Sequence, residues 1–246
     1  MASVPKIDQP STWPQRLLIC IPLAELGYSS FHAGLSLVEG YGWHMWKKRI
    51  FFHQGGYIHA SHNNLVSEAL KLNNWDRLVL LEHDHEFPSD TLWKHAHYTE
   101  PIVSGLYVLR DHNGPLPVVY NWDAERHNAV HPNAAEVKHM LDNPGLHKVD
   151  VVPMGCTSIK REVFETWPAD QPKFSSFTNP RGATMSDDVW FCRIAQDNGW
   201  QPYVDTSLQA THLALVPLSV PMFVSWWNQI GSKRAIEDVE KREGAA

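Results

Sequence analysis

The sequence predicts an α/β protein with a mainly parallel, Rossmann-like sheet flanked by helices. Two observations carry that expectation. Short apolar runs alternate with helix-period segments in the order strand, helix, strand, helix, strand, the rhythm of parallel strands joined by crossover helices. The third apolar run then passes directly into five consecutive polar residues, Glu82-His83-Asp84-His85-Glu86. In parallel α/β sheets, ligands gather at the carboxyl ends of the strands.

The elements follow in order. Residues 1–15 carry three prolines and little apolar pattern, and read as a flexible N-terminal arm. Leu17-Leu18-Ile19-Cys20-Ile21, closed by Pro22, reads as a first buried strand. Residues 28–41 fit a helix ended near Gly40 and Gly42, and Arg49-Ile50-Phe51-Phe52 a second strand. Apolar positions 65, 66, 69, 70 and 72 mark a helix over 63–72, and Arg77 to Leu81 a third strand. Further on, 102–109 and 118–120 read as strands and 133–141 as a helix. Val149 to Val152 leads into Gly155-Cys156-Thr157-Ser158-Ile159 as a strand pair or bent strand. Asp187 to Asp197 is a helix with Ser186 as its cap and Gly199 as its stop, followed by a last strand at 203–205. Residues 16–231 are expected to form one domain, with a nucleotide half to about residue 110 and a mixed half to 231; a charged tail follows over 232–246.

Composition narrows the function. The chain has 246 residues, is 43% apolar and carries a net charge of −6, which disfavours a general polyanion-binding surface. The apolar stretch Leu213 to Trp227 is too short to span a bilayer and is broken by Pro217 and Pro221. Trp226 and Trp227 within it suit packing or an oligomer interface. Cys20, Cys156 and Cys192 are far apart in apolar surroundings and read as buried free thiols. With no leader-like start, these features point to a cytoplasmic protein.

The chemistry concentrates at 82–86. On an extended backbone, side chains alternate, so Glu82 and Asp84 are expected on one side and His83 and His85 on the other. A carboxylate pair so spaced suits Mg²⁺ or Mn²⁺ held against a diphosphate. A solvated, charged strand end is the plainer account, and a zinc hydrolase using His83, His85 and His212 is a further one.

The run RLVLLEHDHEFPSDTLWK resembles the segment of GT-A glycosyltransferases, particularly the family-2 group, that carries the D-x-D motif before an aromatic-proline turn and a helix. Glu82 falls on its first acid, where Asp is commoner, and Asp84 on its second. HNNLVSEAL resembles the helix start that contacts the nucleotide, with Asn64 on the usual Asn and Asn63 in place of Arg. LLICIPL is similar to the first strand, whose end at Ile21 and Pro22 cradles the base. VVPMGCTSIKREVFE is similar to the stretch where Gly155 and Cys156 open the acceptor side. MSDDVWFCRIAQDNGW resembles the helix whose E-D acids face the acceptor, here Asp187 and Asp188. His212 matches a histidine that completes the metal site. Arg181-Gly182 lies in a polar stretch that suits a lid over phosphates or a plain loop.

The resemblance implies a GT-A fold and transfer of a sugar from a nucleotide diphosphate, UDP-sugar favoured, to an acceptor hydroxyl it leaves unidentified. Mn²⁺ or Mg²⁺ would be held by Asp84, Glu82 and His212, with Glu82, His83 and Asp84 beside the donor. Asp188, or else Asp187, would take the acceptor's proton in an inverting reaction, or position substrate in a retaining one. A non-catalytic binder of nucleotide-sugar or glycan on the same fold is the alternative.

Overall fold

The computed structural model describes residues 16–23, 35, 47–54, 57–109 and 116–213. The chain divides into two compact units, Met1–Leu213 and Ala214–Ala246. The expected arm, the helix at 28–41, the apolar stretch beyond Leu213 and the charged tail lie outside the described residues.

The strands are β1 (Arg16–Leu23), β2 (Lys47–Gln54), β3 (Arg77–Leu81), β4 (His85–Glu86), β5 (Ile102–Leu106), β6 (Asn121–Asp123), β7 (Asn128–Val130), β8 (Leu146–Lys148), β9 (Cys156–Lys160), β10 (Phe177–Thr178), β11 (Thr184–Met185), β12 (Pro202–Gln209) and β13 (Thr211–His212). The helices are α1 (Ile58–Leu70), α2 (Thr91–His97), α3 (Ala134–Asp142), α4 (Arg161–Glu165) and α5 (Asp187–Asp197). Seven strands form one sheet in the order β2-β1-β3-β9-β5-β12-β8. β1 is parallel to β2 and β3, and β5 is parallel to β12. β9 is antiparallel to both β3 and β5, and β8 to β12, so five strands share one direction.

Each central strand alternates its side chains between two cores, as the pleat requires. Leu18, Cys20, Leu78 and Leu80 face α1, which contributes Leu65, Val66 and Ala69. Leu17, Ile19, Ile21, Val79 and Leu81 face the opposite core, where Phe87, Leu92 and Ala96 of the α2 region meet them. Full burial of such a Leu or Val stabilises by roughly 1.5–3 kcal/mol. These strands are therefore apolar on both faces, which is why their signal in the sequence is a continuous run. All three cysteines are free and buried.

α3 starts on a capping box: the Asn133 side chain accepts from the Ala135 and Glu136 backbone N–H groups, and Glu136 accepts from that of Asn133. Ser186 occupies the cap position of α5 but makes no side-chain cap hydrogen bond. Gly199 follows α5 at φ +85°, the left-handed region that ends helices.

Several boundaries differ from expectation. α1 begins at Ile58, and β5 ends at Leu106, with Val108 paired only in an isolated bridge to Pro117. Tyr120 bridges Val151 rather than joining a strand, and the last sheet strand runs over Pro202–Gln209. Among the described residues no helix is long and apolar enough to cross a membrane.

Candidate functional site

The site lies where β1 and β3 end, because their parallel register aligns Cys20 with Leu80. β9 enters there from the other direction. Leu81 pairs with Cys156, and the Glu82 N–H donates to the Gly155 carbonyl at 3.0 Å. The antiparallel strand thus brings Gly155 against the polar run that follows β3.

That run is not extended. β3 stops at Leu81, residues 83 and 84 form a turn, and the His85 N–H donates to the Glu82 carbonyl at 3.3 Å. The expected alternation of Glu82 and Asp84 with His83 and His85 therefore does not hold. Once the chain turns, side-chain direction no longer follows the pleat. The four side chains diverge. Glu82 lies near His62, with Oε1 3.8 Å from the imidazole Nε2. The His83 Nδ1 is 3.2 Å from the Pro22 carbonyl at the end of β1. Asp84 and His85 join His212.

Asp84, His85 and His212 each offer a ligand atom, all within 4.8 Å of one another. β4 and β13 build this cluster by pairing His85 with His212 across the ladder. The two imidazoles stack with centroids 4.3 Å apart and planes 9° from parallel. Asp84 Oδ1 lies 2.9 Å from His85 Nδ1, and Oδ2 lies 3.4 Å from His212 Nε2. The His212 Nδ1 is 2.9 Å from the Val108 carbonyl. An Nδ1–H donated there leaves the lone pair of Nε2 turned toward Asp84. His85 is fully buried, with Nδ1 against the Asp84 carboxylate and Nε2 without a hydrogen-bond partner. A buried imidazole with one nitrogen unsatisfied, beside a carboxylate and a second imidazole, fits a divalent ion. Two imidazoles beside one carboxylate suit Mg²⁺ poorly, since that ion prefers oxygen alone.

A second cluster adjoins the first. His62, from α1, is fully buried, and its Nδ1 lies 3.0 Å from Asp187 Oδ2 at the start of α5. Burial pushes the Asp188 carboxyl well above the usual carboxylate range, and the charges of Asp187 and Glu82 add to this. Glu82 is also raised, mainly by burial, with His62 and His85 opposing. Tyr107 is raised by burial, then by Glu82 and Asp188, and its hydroxyl accepts from the Gly155 N–H at 3.1 Å.

Gly155 is the seam between the clusters. A Cβ there would lie 2.7 Å from the Tyr107 hydroxyl, 2.8 Å from His85 Cε1 and 3.0 Å from Glu82 Oε2. Only glycine lets the backbone pass so close. Cys156, its neighbour, is buried, and burial lifts its thiol to about 12.

The remaining sequence candidates are placed as follows. The Asn63 amide donates to the His59 and Phe174 carbonyls and accepts from the Phe174 N–H, clamping the 174 segment to α1. Asn64 is exposed on the same helix. Ile21 is buried at the end of β1 beside Pro22. The Arg181 guanidinium donates to the Glu125 carbonyl. His62 and Tyr107 were not legible as site residues. His62 immediately precedes the Asn pair in sequence, but nothing local distinguishes a ring aimed at a helix 125 residues later.

No family model matches the chain, and no curated protein matches it. Among solved structures, the A197 protein from STIV is similar with a TM-score of 0.53 at 19% identity, over 81% of this chain and 86% of that one. GalNAc-T7 in complex with UDP, GalNAc and Mn²⁺ is similar with a TM-score of 0.53 at 10% identity, over 82% of this chain and 44% of that one. The fold is of the GT-A type. At these identities the likeness speaks for architecture, and chemistry has to come from the site.

Proposed function

We propose that this protein is a metal-dependent glycosyltransferase that moves a sugar from a nucleotide diphosphate to an acceptor hydroxyl. The observation that carries the reading is the adjacency of two clusters at one end of the sheet: Asp84, His85 and His212, with donor atoms suited to a divalent ion, and the acids Asp187 and Asp188. A GT-A structure that holds UDP and Mn²⁺ supports UDP-sugar as the donor class.

In this reading the nucleotide lies over the ends of β1 and β3, near Ile21, Pro22 and His83, with the exposed Asn64 of α1 at its edge. Asp84, His85 and His212 would hold Mn²⁺, with Glu82 behind them toward His62. Bound there, the ion supplies positive charge against the departing diphosphate. Asp188 takes the proton of the acceptor hydroxyl as its oxygen bonds to the anomeric carbon. The bond from that carbon to the phosphate oxygen breaks, and the diphosphate leaves with the electron pair. Gly155 lets Tyr107, His85 and Glu82 close on one another beside the place proposed for the acceptor. An adjoining cleft of about 360 Å³, lined by Tyr107, Val108, Pro117, Met140 and Leu141, suits the acceptor's apolar part.

The test is incubation with a panel of sugar nucleotides and Mn²⁺, read as release of nucleoside diphosphate. Metal-dependent release from one donor class is expected. Binding without release would favour a nucleotide-sugar binder, and no interaction with any donor would end the proposal.

A further inference from the structure

His62 is a buried titratable group that the reaction just described does not use. It comes from α1, on the nucleotide side of the fold, and its ring lies between Glu82 of that side and Asp187 of the other. Its Nδ1 is 3.0 Å from Asp187 Oδ2, and its Nε2 is 3.8 Å from Glu82 Oε1 without forming a hydrogen bond. The ring also packs against Phe174 at 4.9 Å between centroids, and the neighbouring Asn63 grips the backbone of Phe174. The imidazole is thus fixed from behind and cannot follow Asp187 if that side chain swings.

We propose that His62 is a positioning residue that divides the three carboxylates of the site: it binds Asp187 through Nδ1–H, faces Glu82 with its other edge, and leaves Asp188 as the acid turned to the acceptor. In the proposed contact the imidazole N–H donates and the Asp187 carboxyl oxygen accepts. Asp187 and Asp188 are consecutive residues of the first turn of α5, and their side chains leave the helix about 100° apart. Fixing Asp187 against His62 therefore fixes the rotation of the helix start, and with it the direction of Asp188. Without His62, Asp187 would be a buried carboxyl group lacking its donor, free to turn outward and compete for the same acceptor proton or metal.

The inference rests on the transferase reading, so the experiment separates the two. His62→Asn places an amide N–H close to where Nδ1–H stood; His62→Gln extends its amide toward the place of Nε2; His62→Leu keeps bulk and removes both. Donor turnover, donor KM and melting temperature are measured for each with Mn²⁺. Nitrogen-detected NMR of the imidazole follows in wild type and Asp187→Asn.

The expected result is a fall in kcat of about 100-fold in His62→Leu with donor KM little changed, as for a small misplacement of a reacting group. His62→Asn should recover most of that loss and His62→Gln little. The NMR spectrum should show Nδ1 protonated, with its signal displaced in Asp187→Asn. Turnover in a folded His62→Leu within threefold of wild type would overturn the proposal. So would recovery by His62→Gln in place of His62→Asn, because the contact that matters would then be the one to Glu82. If His62→Leu does not fold, the Asn and Gln pair decides. Absence of donor turnover in the wild type would sink the transferase reading instead, and the NMR result would still decide whether His62 holds Asp187.

Discussion

Glu82 and Asp84 stand two residues apart and enter different company. Asp84 joins two imidazoles whose nitrogens converge on it, a neutral-to-anionic donor set that a divalent cation would complete. Glu82 joins Asp187 around the His62 imidazole with Asp188 close by, a set over-supplied with acid in which burial raises Glu82 and Asp188. In the proposed reaction the first cluster would receive a positive charge and the second a proton. The turn at residues 83 and 84 makes the division, and Gly155 lets the two lie side by side.

The sharpest way to break this division is Asp84→Ala. Among the described residues Asp84 is the one carboxylate of the proposed metal cluster, so its loss should abolish the Mn²⁺-dependent part of donor binding and leave metal-free binding in place. Calorimetry with and without Mn²⁺ reads this directly; an unchanged metal-dependent affinity would mean the cluster does not hold the ion.

Asp188→Asn addresses the other cluster. An amide keeps the shape and cannot take a proton, so turnover should fall about 10²–10⁴-fold while donor affinity holds. Asp187→Asn is the comparison, and a loss confined to it would transfer the base role to Asp187. Stability should move the other way. The folded-state pKa of Asp188 is raised, so the folded chain binds its proton more tightly than the unfolded chain. Stability from this group is present below the unfolded carboxylate value and declines as pH rises through the folded value. The amide removes that loss, so the variant should melt higher than wild type at neutral pH, by roughly 2–4 °C for each kcal/mol recovered. Equal melting temperatures across pH would show that Asp188 is not strained in this way.

Gly155→Ala tests the seam. The added methyl meets Tyr107, His85 and Glu82 at 3.0 Å or less, and overpacking of this kind costs about 1–3 kcal/mol. A lower melting temperature together with weaker Mn²⁺ binding and slower turnover is expected, since the methyl presses on both clusters. A loss of one function alone would show that they are mechanically separate.

His212→Ala should give the smallest effect, roughly a tenfold loss of Mn²⁺ affinity, with metal-free nucleotide affinity unchanged, since Asp84 and His85 remain. Titration of Mn²⁺ followed by electron paramagnetic resonance checks it. Identical titrations for variant and wild type would remove His212 from the ligand set.

The sequence by itself determined the described strands of the first half and the neighbourhood of the chemistry. Continuous apolar runs at 17–21 and 77–81 are what strands covered on both faces require. The helix over Asp187–Asp197 is bounded by a polar start and by Gly199, whose φ of +85° suits glycine. The abrupt passage from Leu81 to Glu82 marked the strand end on which the candidate site is built. Tertiary structure alone decided which side chains meet. His85 and His212 are brought together by a two-residue ladder between β4 and β13, and His62 meets Asp187 across 125 residues of chain. Neither pairing leaves a local periodicity, because a single histidine costs and stabilises nothing until its partner arrives. The split between Glu82 and Asp84 was hidden for a related reason. The pleat that makes alternation a rule ends at Leu81, and beyond it side-chain direction is set by the turn at 83–84 and by the partners it faces.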